Sequence, residues 1–419
     1  MIRLRSSLLR PLLAVATVSL CATTPAAVDD PATETLARDT LAKGLAWLKD
    51  HQKDDGSWSA PGFPGLSALG LWAAARSKDP ALAETVEKGA AFVAGFAQED
   101  GGIYRPAEPG RRGSGGLSTY NTAICMMALY QVDPQKYAPI ILKAREFVAN
   151  SQLVGDSDGD PNAGGFGYNR PPTAAERAER EAFFQKMREN GGAMPASRGA
   201  APGGRGAGGP PMDRPDLSNT GWALMAMRMT ESLEDQRPAG EKRADIRWDA
   251  ALKFVESMQN NDSSDADAAG SFGYERGGER DGRTAGPGGR VSLRGFGSMT
   301  YDGLESMIYA KVDRNDPRVR SAAAWAARHW TVEENPGAGQ AGLFYYYTIL
   351  AKSLALFTQG GEFAGADGAA IDWKGDLVRK LAALQKEDGS WANENNTFWE
   401  NDAALVTAYS LLTLESVLE

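Results

Sequence analysis

The sequence predicts an all-α fold: six helical hairpins closed into an (α/α)6 toroid, a barrel with charged helices outside and apolar helices inside. Three observations carry the prediction. A short phrase recurs along the chain, as copied supersecondary units do. Apolar residues recur with a period near 3.6 in twelve segments, and almost nothing alternates with period two. The segments also alternate in kind, one with a charged face and the next apolar nearly all round.

The phrase is clearest near the N-terminus: Lys43-Gly44, Trp47-Leu48, Gln52, Gly56 and Trp58. Gln385, Gly389 and Trp391 keep its second half, and Gln98, Gly102 and Tyr104 repeat that half with Tyr for Trp. Lys143-Ala144, Phe147-Val148 and Gln152 repeat the first half, as do Ala251, Phe254-Val255 and Gln259. Gly56, Gly102 and Gly389 stand where a helix ends in a left-handed residue. The aromatic two residues later can fold back over that end, and Gln can bond exposed backbone there. The phrase reads as the bolt between neighbouring hairpins.

The helices follow in order. Repeat one pairs 40–52 with 66–75, repeat two 83–98 with 120–132, and repeat three 140–152 with 219–230. Repeat four pairs 248–259 with 300–312, repeat five 318–332 with 345–357, and repeat six 377–385 with 401–418. The second helix of each pair, such as Ala123–Leu129, Ala223–Met229 or Ala403–Leu412, is apolar almost all round and so is buried on both sides. An open solenoid needs polar caps at its ends. Neither end carries one, so the hairpins are expected to close on themselves into one toroid spanning 35–419.

Two segments interrupt the pattern. Residues 170–215 and 275–294 are rich in Gly, Pro and Arg and have too little bulk to bury themselves. Both fall between the first and second helix of a repeat and read as flexible insertions at one end of the barrel.

Composition narrows the function. With 419 residues, 42% of them hydrophobic, and a formal charge of −9, the chain can bury a large core. It is ill suited to binding nucleic acid or an anionic membrane surface. Residues 1–27 have the order of a secretory signal peptide: Arg3, Arg5 and Arg10, an apolar run from Leu12 to Cys21, then Ala26-Ala27. Export to the periplasm or cell envelope is expected. Cys21 would suit lipidation, but Leu20 stands where a small residue is needed. With the signal removed, no run is long enough to span a membrane. Cys125 is then a lone thiol inside an apolar helix, a small hydrophobe rather than a disulfide partner. His51 and His329 lie in helical stretches and form no cluster.

The recurring phrase resembles the QW motif of the squalene–hopene cyclase and prenyltransferase superfamily, over roughly residues 35–419. The resemblance implies an α/α toroid whose inner helices line a cavity, but fold likeness does not carry chemistry with it. Class II terpene cyclases protonate their substrate from an Asp-x-Asp-Asp-Thr motif. The counterpart here is Asp216-Leu217-Ser218-Asn219-Thr220, with Ser218 at the acid position. The tract Asp262–Asp267 has suitable residues but follows Gln259 in a loop. Protein prenyltransferases hold zinc with Asp, Cys and His. The matching contexts are Asp302-Gly303-Leu304 and Tyr345-Tyr346-Tyr347-Thr348, which keep only the Asp, and one carboxylate does not hold zinc. Cys125, in Ile-Cys-Met, does not match the thioester context of complement-like proteins either. No metal or other cofactor is called for.

Polar and aromatic residues recur at the starts of the inner helices: Tyr120, Asn121 and Thr122; Asn219 and Thr220; Thr300, Tyr301 and Asp302; Tyr345, Tyr346 and Tyr347; Trp399, Glu400, Asn401 and Asp402. Helix capping accounts for Asn, Asp and Thr at such points. The functional alternative is a ring of aromatic and polar ligand-binding groups at one cavity mouth. Asp302 and Asp402 are the acids to consider for catalysis. The acidic loop 156–160 resembles a calcium loop, but Pro161 replaces the required Gly and Gly167 the bidentate Glu. The loop Asp262–Asp267 likewise reads as a solvated turn. The reading favoured is an exported, non-catalytic protein that binds an apolar small molecule or an envelope protein at the inner-helix mouth. The alternative is a divergent enzyme, cyclase-like or a carbohydrate lyase or hydrolase with paired acids.

Overall fold

The computed structural model describes residues 30–107, 116–155, 160–173, 175, 176, 178, 182, 185, 214–261, 265–275, 284–285 and 291–419. The segment expected to be a signal peptide lies outside these residues, as do most of both insertions and positions 156–159 and 262–264 of the two acidic loops. Within 275–294 a two-residue antiparallel ladder pairs Thr284–Ala285 with Val291–Ser292.

Among the described residues there are twelve α-helices. The outer ones are α1 (Pro31–Asp50), α3 (Ala83–Ala94), α5 (Ala138–Ser151), α7 (Trp248–Ser257), α9 (Pro317–Arg328) and α11 (Trp373–Leu384). The inner ones are α2 (Pro64–Arg76), α4 (Ser118–Val132), α6 (Leu217–Met229), α8 (Gly297–Tyr309), α10 (Leu343–Thr358) and α12 (Ala403–Leu418). Each inner helix packs on the next in the order α2, α4, α6, α8, α10, α12, and α12 packs back on α2. Outer α1 packs on both α11 and α12. The ring is therefore closed, as an all-α toroid requires. In α12 every residue from Ala404 to Val417 is buried, which explains why the inner helices carry no polar stripe.

The recurring phrase builds the joints. Gln52 Nε2 donates to Gly56 O in its own turn and to Thr85 O at the start of the next outer helix, 3.1 and 2.9 Å. Gln152 reaches Arg247 O and Gln259 reaches Arg318 O in the same way. Gln385 makes the equivalent pair to Gly389 O and Thr40 O, both 2.9 Å, and so bolts the last repeat onto the first. Trp58 Nε1 and Trp391 Nε1 fold back onto Leu48 O and Leu381 O. Gly56 and Gly389 sit at φ +87° and +92°, and a Cβ there would lie 2.4 and 2.6 Å from a carbonyl of the neighbouring outer helix. Only glycine allows both the turn and the approach.

The second repeat corrects the expectation. Its left-handed turn residue is Gly101, at φ +89°, not Gly102. The Gln98 N–H takes the place of the Lys53 and Lys386 N–H groups, each bonded across its turn. The pattern Gln98, Gly102, Tyr104 is thus displaced by one residue. Buried Ile103, not Tyr104, is the counterpart of Trp58 and Trp391. The backbone N–H groups of Trp58, Ile103, Phe166, Phe272 and Trp391 each donate to a hydroxyl on the inner helix, from Ser67, Thr122, Thr220, Thr300 and Thr407. The two histidines also repeat an arrangement: each stacks on the tryptophan one turn earlier, Trp47 or Trp325, at the end of its outer helix.

Candidate functional site

All six inner helices point their N-termini to one face of the ring and their C-termini to the other. Their first turns and the preceding loops enclose a cavity of about 430 Å³. Its wall is largely aromatic. Tyr120 stands on α4 beside Tyr168 at 6.1 Å between ring centres, and Trp222 on α6 faces Tyr345 on α10 at 6.2 Å. Tyr345 also meets Tyr409 of α12 edge-on at 5.9 Å. Tyr168 and Tyr274 link their hydroxyls at 3.0 Å. Phe398 and Trp399 form the lip, 43% and 44% exposed, and Trp399 leans on Phe63. Both lip residues have positive φ, +60° and +63°. Side chains other than glycine adopt that conformation at a cost of order 1–3 kcal/mol each, so their surroundings hold this lip in place.

Beneath the aromatic wall lies a layer of buried ionisable groups. Ser218 Oγ, on the cavity surface, is 2.9 Å from the Tyr345 hydroxyl, which donates to Asp302 Oδ2 at 2.8 Å. Asp302 is 1% exposed and Glu305 fully buried. Among the described residues neither Glu305 oxygen nor Asp302 Oδ1 has a hydrogen-bond partner. Lys352 Nζ lies 4.0 Å from Glu305 Oε1 and 4.3 Å from the centre of the Trp222 ring. Burial pushes the Asp302 carboxyl well above its ordinary range, the charge of Glu305 adding to the effect and the Tyr345 hydrogen bond opposing it. Burial also lifts Glu305 to about 7, against the pull of Lys352, and lowers the Lys352 ammonium. Desolvation disfavours the charged form of each. The two acids therefore hold their protons at neutral pH far more than exposed carboxyls do. Glu400 lines the cavity and is lifted to about 7 by burial. Its oxygens accept from Tyr345 N and Asn393 Nδ2, so it caps α10.

The residues expected at the mouth divide sharply. Tyr120 and Trp399 line the cavity. Asn121 is buried between helices, accepting from Gly65 N and donating to Gly116 O. Asn219 and Thr220 belong to the cap of α6: Asn219 donates to Asp216 Oδ2, and the Thr220 hydroxyl donates to Asp216 O. Tyr301 is buried against Tyr346, and Tyr346 and Tyr347 donate to Thr331 O and Val332 O. Tyr346 and Tyr347 thus steady the turn after α9, and none of the three lines the cavity. Asn401 is exposed beside the lip. Asp402 caps α12 through Ala404 N and accepts from the Ser59 hydroxyl, so both its oxygens are engaged. Asp302 reaches the cavity only through Tyr345. Tyr345, expected at the mouth, does line the cavity, whereas Trp222, Tyr409, Tyr168 and Tyr274 were not expected there from the sequence. Of the three consecutive tyrosines, the 100° turn between helical residues aims Tyr345 inward and the next two elsewhere.

Among the described residues no three His, Cys, Asp or Glu side chains could hold a metal ion together, and no helix is long and apolar enough to cross a membrane. Cys125 is a free, buried thiol.

No family model matches the sequence, and no curated protein matches it. Solved structures match its fold. A substrate-bound variant of the type II terpene cyclase MstE from Scytonema superposes with a TM-score of 0.53 at 11% identity, covering 92% of this chain and 99% of that one. A family 76 glycoside hydrolase from a bovine Bacteroides thetaiotaomicron strain superposes at 0.50 with 12% identity, covering 92% and 78%. At such identities the likeness establishes an α/α toroid and leaves the chemistry to this chain's own residues.

Proposed function

We propose that this protein is a non-catalytic toroid of the terpene cyclase and prenyltransferase type, exported to the cell envelope, which binds an apolar small molecule in the aromatic cavity. The observation that carries this reading is the build of that cavity: an aromatic wall of about 430 Å³ with a few fixed polar groups, the composition of a small-ligand site. The acid beneath argues against alkene protonation. A carboxyl held above its ordinary pKa is a weaker acid than an exposed one, whereas protonating a carbon–carbon double bond needs a stronger one. Hydrolysis between paired carboxyls would require two acids flanking the substrate. Asp302 and Glu305 lie behind Tyr345, and Asp402 and Glu400 are committed to helix ends.

One observation favours the enzymatic alternative. Ser218, Tyr345 and Asp302 form a hydrogen-bonded line from the cavity surface to a buried carboxyl, along which a proton could move.

Calorimetric titration with farnesol as probe tests the reading. Saturable one-to-one binding with a negative heat-capacity change is expected. Ala341→Trp, which fills the cavity at its wall, should weaken it about tenfold or more, the loss expected when an occupied pocket is overpacked. Failure of the native protein to saturate, or equal binding by Ala341→Trp, overturns the proposal. Turnover of the probe that stops in Asp302→Asn would establish the enzyme instead.

A further inference from the structure

The opposite face of the ring holds a second cavity, of about 650 Å³. All six inner helices contribute to it from their last turns, among them Arg76, Gln131, Met229, Tyr309, Thr358 and Ser416. Its innermost wall is Trp72, Met225 and Lys352. Lys352 thus occupies the septum between the two cavities. Its side chain is 9% exposed and its Nζ is 5.9 Å from the centre of the Trp72 ring and 4.3 Å from that of Trp222. Its polar neighbours are Glu305, at 4.0 Å, and Met225 Sδ, at 3.5 Å. Arg76 and Arg228 at the rim are paired with Glu419 and Glu231.

As packing alone this arrangement is costly. A buried ion pair whose carboxylate lacks other hydrogen bonds does not recover its desolvation, and apolar residues of similar size serve the core as well or better. As a reactive site it is coherent. A lysine desolvated in an apolar pocket is kept partly as the free amine, the form that attacks carbonyls. The neighbouring acid, lifted to about 7 by burial, can give and take a proton near neutral pH.

We propose that the second cavity is a carbonyl site in which the Lys352 amine condenses with a small aldehyde of flat apolar body, stacked on Trp72, and Glu305 serves as proton donor and counter-ion. The amine nitrogen attacks the carbonyl carbon and a C–N bond forms. One proton passes from the attacking nitrogen to the oxygen and Glu305 supplies a second, the C–O bond breaks and the oxygen leaves as water. The products are an iminium on Lys352 and the Glu305 carboxylate. Amine, carboxylic acid and aldehyde thus balance iminium, carboxylate and water, with no oxidant or reductant. This site is independent of any ligand in the aromatic cavity.

The test is reductive trapping on the folded full chain, with benzaldehyde as probe and cyanoborohydride to fix the imine. The adduct is mapped by peptide mass spectrometry. Lys352 should label about tenfold faster than the exposed lysines, such as Lys88, as an activated amine does. Glu305→Gln, which keeps shape but cannot donate its proton, should slow Lys352 labelling by about tenfold or more and leave Lys88 unchanged. Labelling of Lys352 no faster than Lys88, or only after unfolding in urea, overturns the proposal. Unchanged labelling in Glu305→Gln removes Glu305 from it.

Discussion

The two faces of the inner ring are made of the same six helices and yet of opposite residue types. At the N-terminal face, carboxylates meet backbone N–H groups: Asp216 accepts from Asn219 N, Asp402 from Ala404 N and Glu400 from Tyr345 N. At the C-terminal face, guanidinium groups meet carbonyls: Arg145 donates to Met227 O and Arg228 to Tyr309 O. Unpaired N–H groups and the positive end of the helix dipole gather on one side, and unpaired carbonyls and the negative end on the other. A ring of parallel inner helices concentrates both at once. The difference teaches that acids at the aromatic mouth are first of all helix-end partners, and that a carboxyl becomes a candidate for chemistry only when it is not used this way. Asp302 and Glu305, in mid-helix, are such carboxyls.

This contrast can be broken by substitution. The largest expected effect is Arg145→Ala. Arg145 is 1% exposed and joins Glu234 Oε1, Met227 O, Thr230 Oγ1 and Ala244 O. Its removal takes one donor from buried Glu234, which keeps Arg237, and leaves two carbonyls and the Thr230 hydroxyl short of one. The expected loss is about 3–5 kcal/mol, at roughly 1–3 for each unsatisfied group, measured by urea unfolding. Asp402→Ala removes one N-cap at the other face and should cost about 1 kcal/mol. Equal losses in the two variants would mean that the faces do not differ as described. The smallest effect sharpens the picture through pH. Glu415, near the C-terminal end of α12, is buried, and among the described residues its two oxygens have no hydrogen-bond partner. Burial raises its carboxyl well above the ordinary value of 4.5, with Arg76 opposing. The folded chain then keeps a proton that the unfolded chain has already lost, so this residue's contribution to stability declines as pH rises above about 4.5. Glu415→Gln should flatten that decline, seen as a melting temperature about 1 °C higher than that of the unsubstituted protein at pH 8 for each kcal/mol recovered. A steeper decline in the variant would refute the assignment.

Much of the fold was legible because its signals are local. Period 3.6, the joint phrase with Gln52 or Gln385, and a glycine forced to positive φ each declare themselves within a few residues. Where two readings of a short motif differ by one residue, as at Gln98–Tyr104, only the bonding across the turn decides. The aromatic cavity was less legible because lining it depends on the direction of a side chain. Tyr345 faces inward while Tyr346 and Tyr347 turn to neighbouring carbonyls, yet all three look alike in the sequence. Asp402 stood out by its type and position at a helix start, and that position is what commits it to capping. Lys352, which was not expected to matter, carries a signal the sequence does hold: a charge inside an otherwise apolar run, where a buried helix should have none.

The bond from Gln385 to Thr40 has the same form and length as its counterpart from Gln52 to Thr85, but its setting differs. Every other boundary between neighbouring repeats is crossed by the polypeptide, so parting there leaves the two sides tethered. At this seam only non-covalent contacts span the gap, between residues 345 positions apart. Opening it releases the most chain entropy, because it undoes the longest loop. The circle therefore has a natural clasp. By loop-closure entropy alone it is the boundary that costs most to shut and gains most by parting, however evenly the hairpins themselves are built.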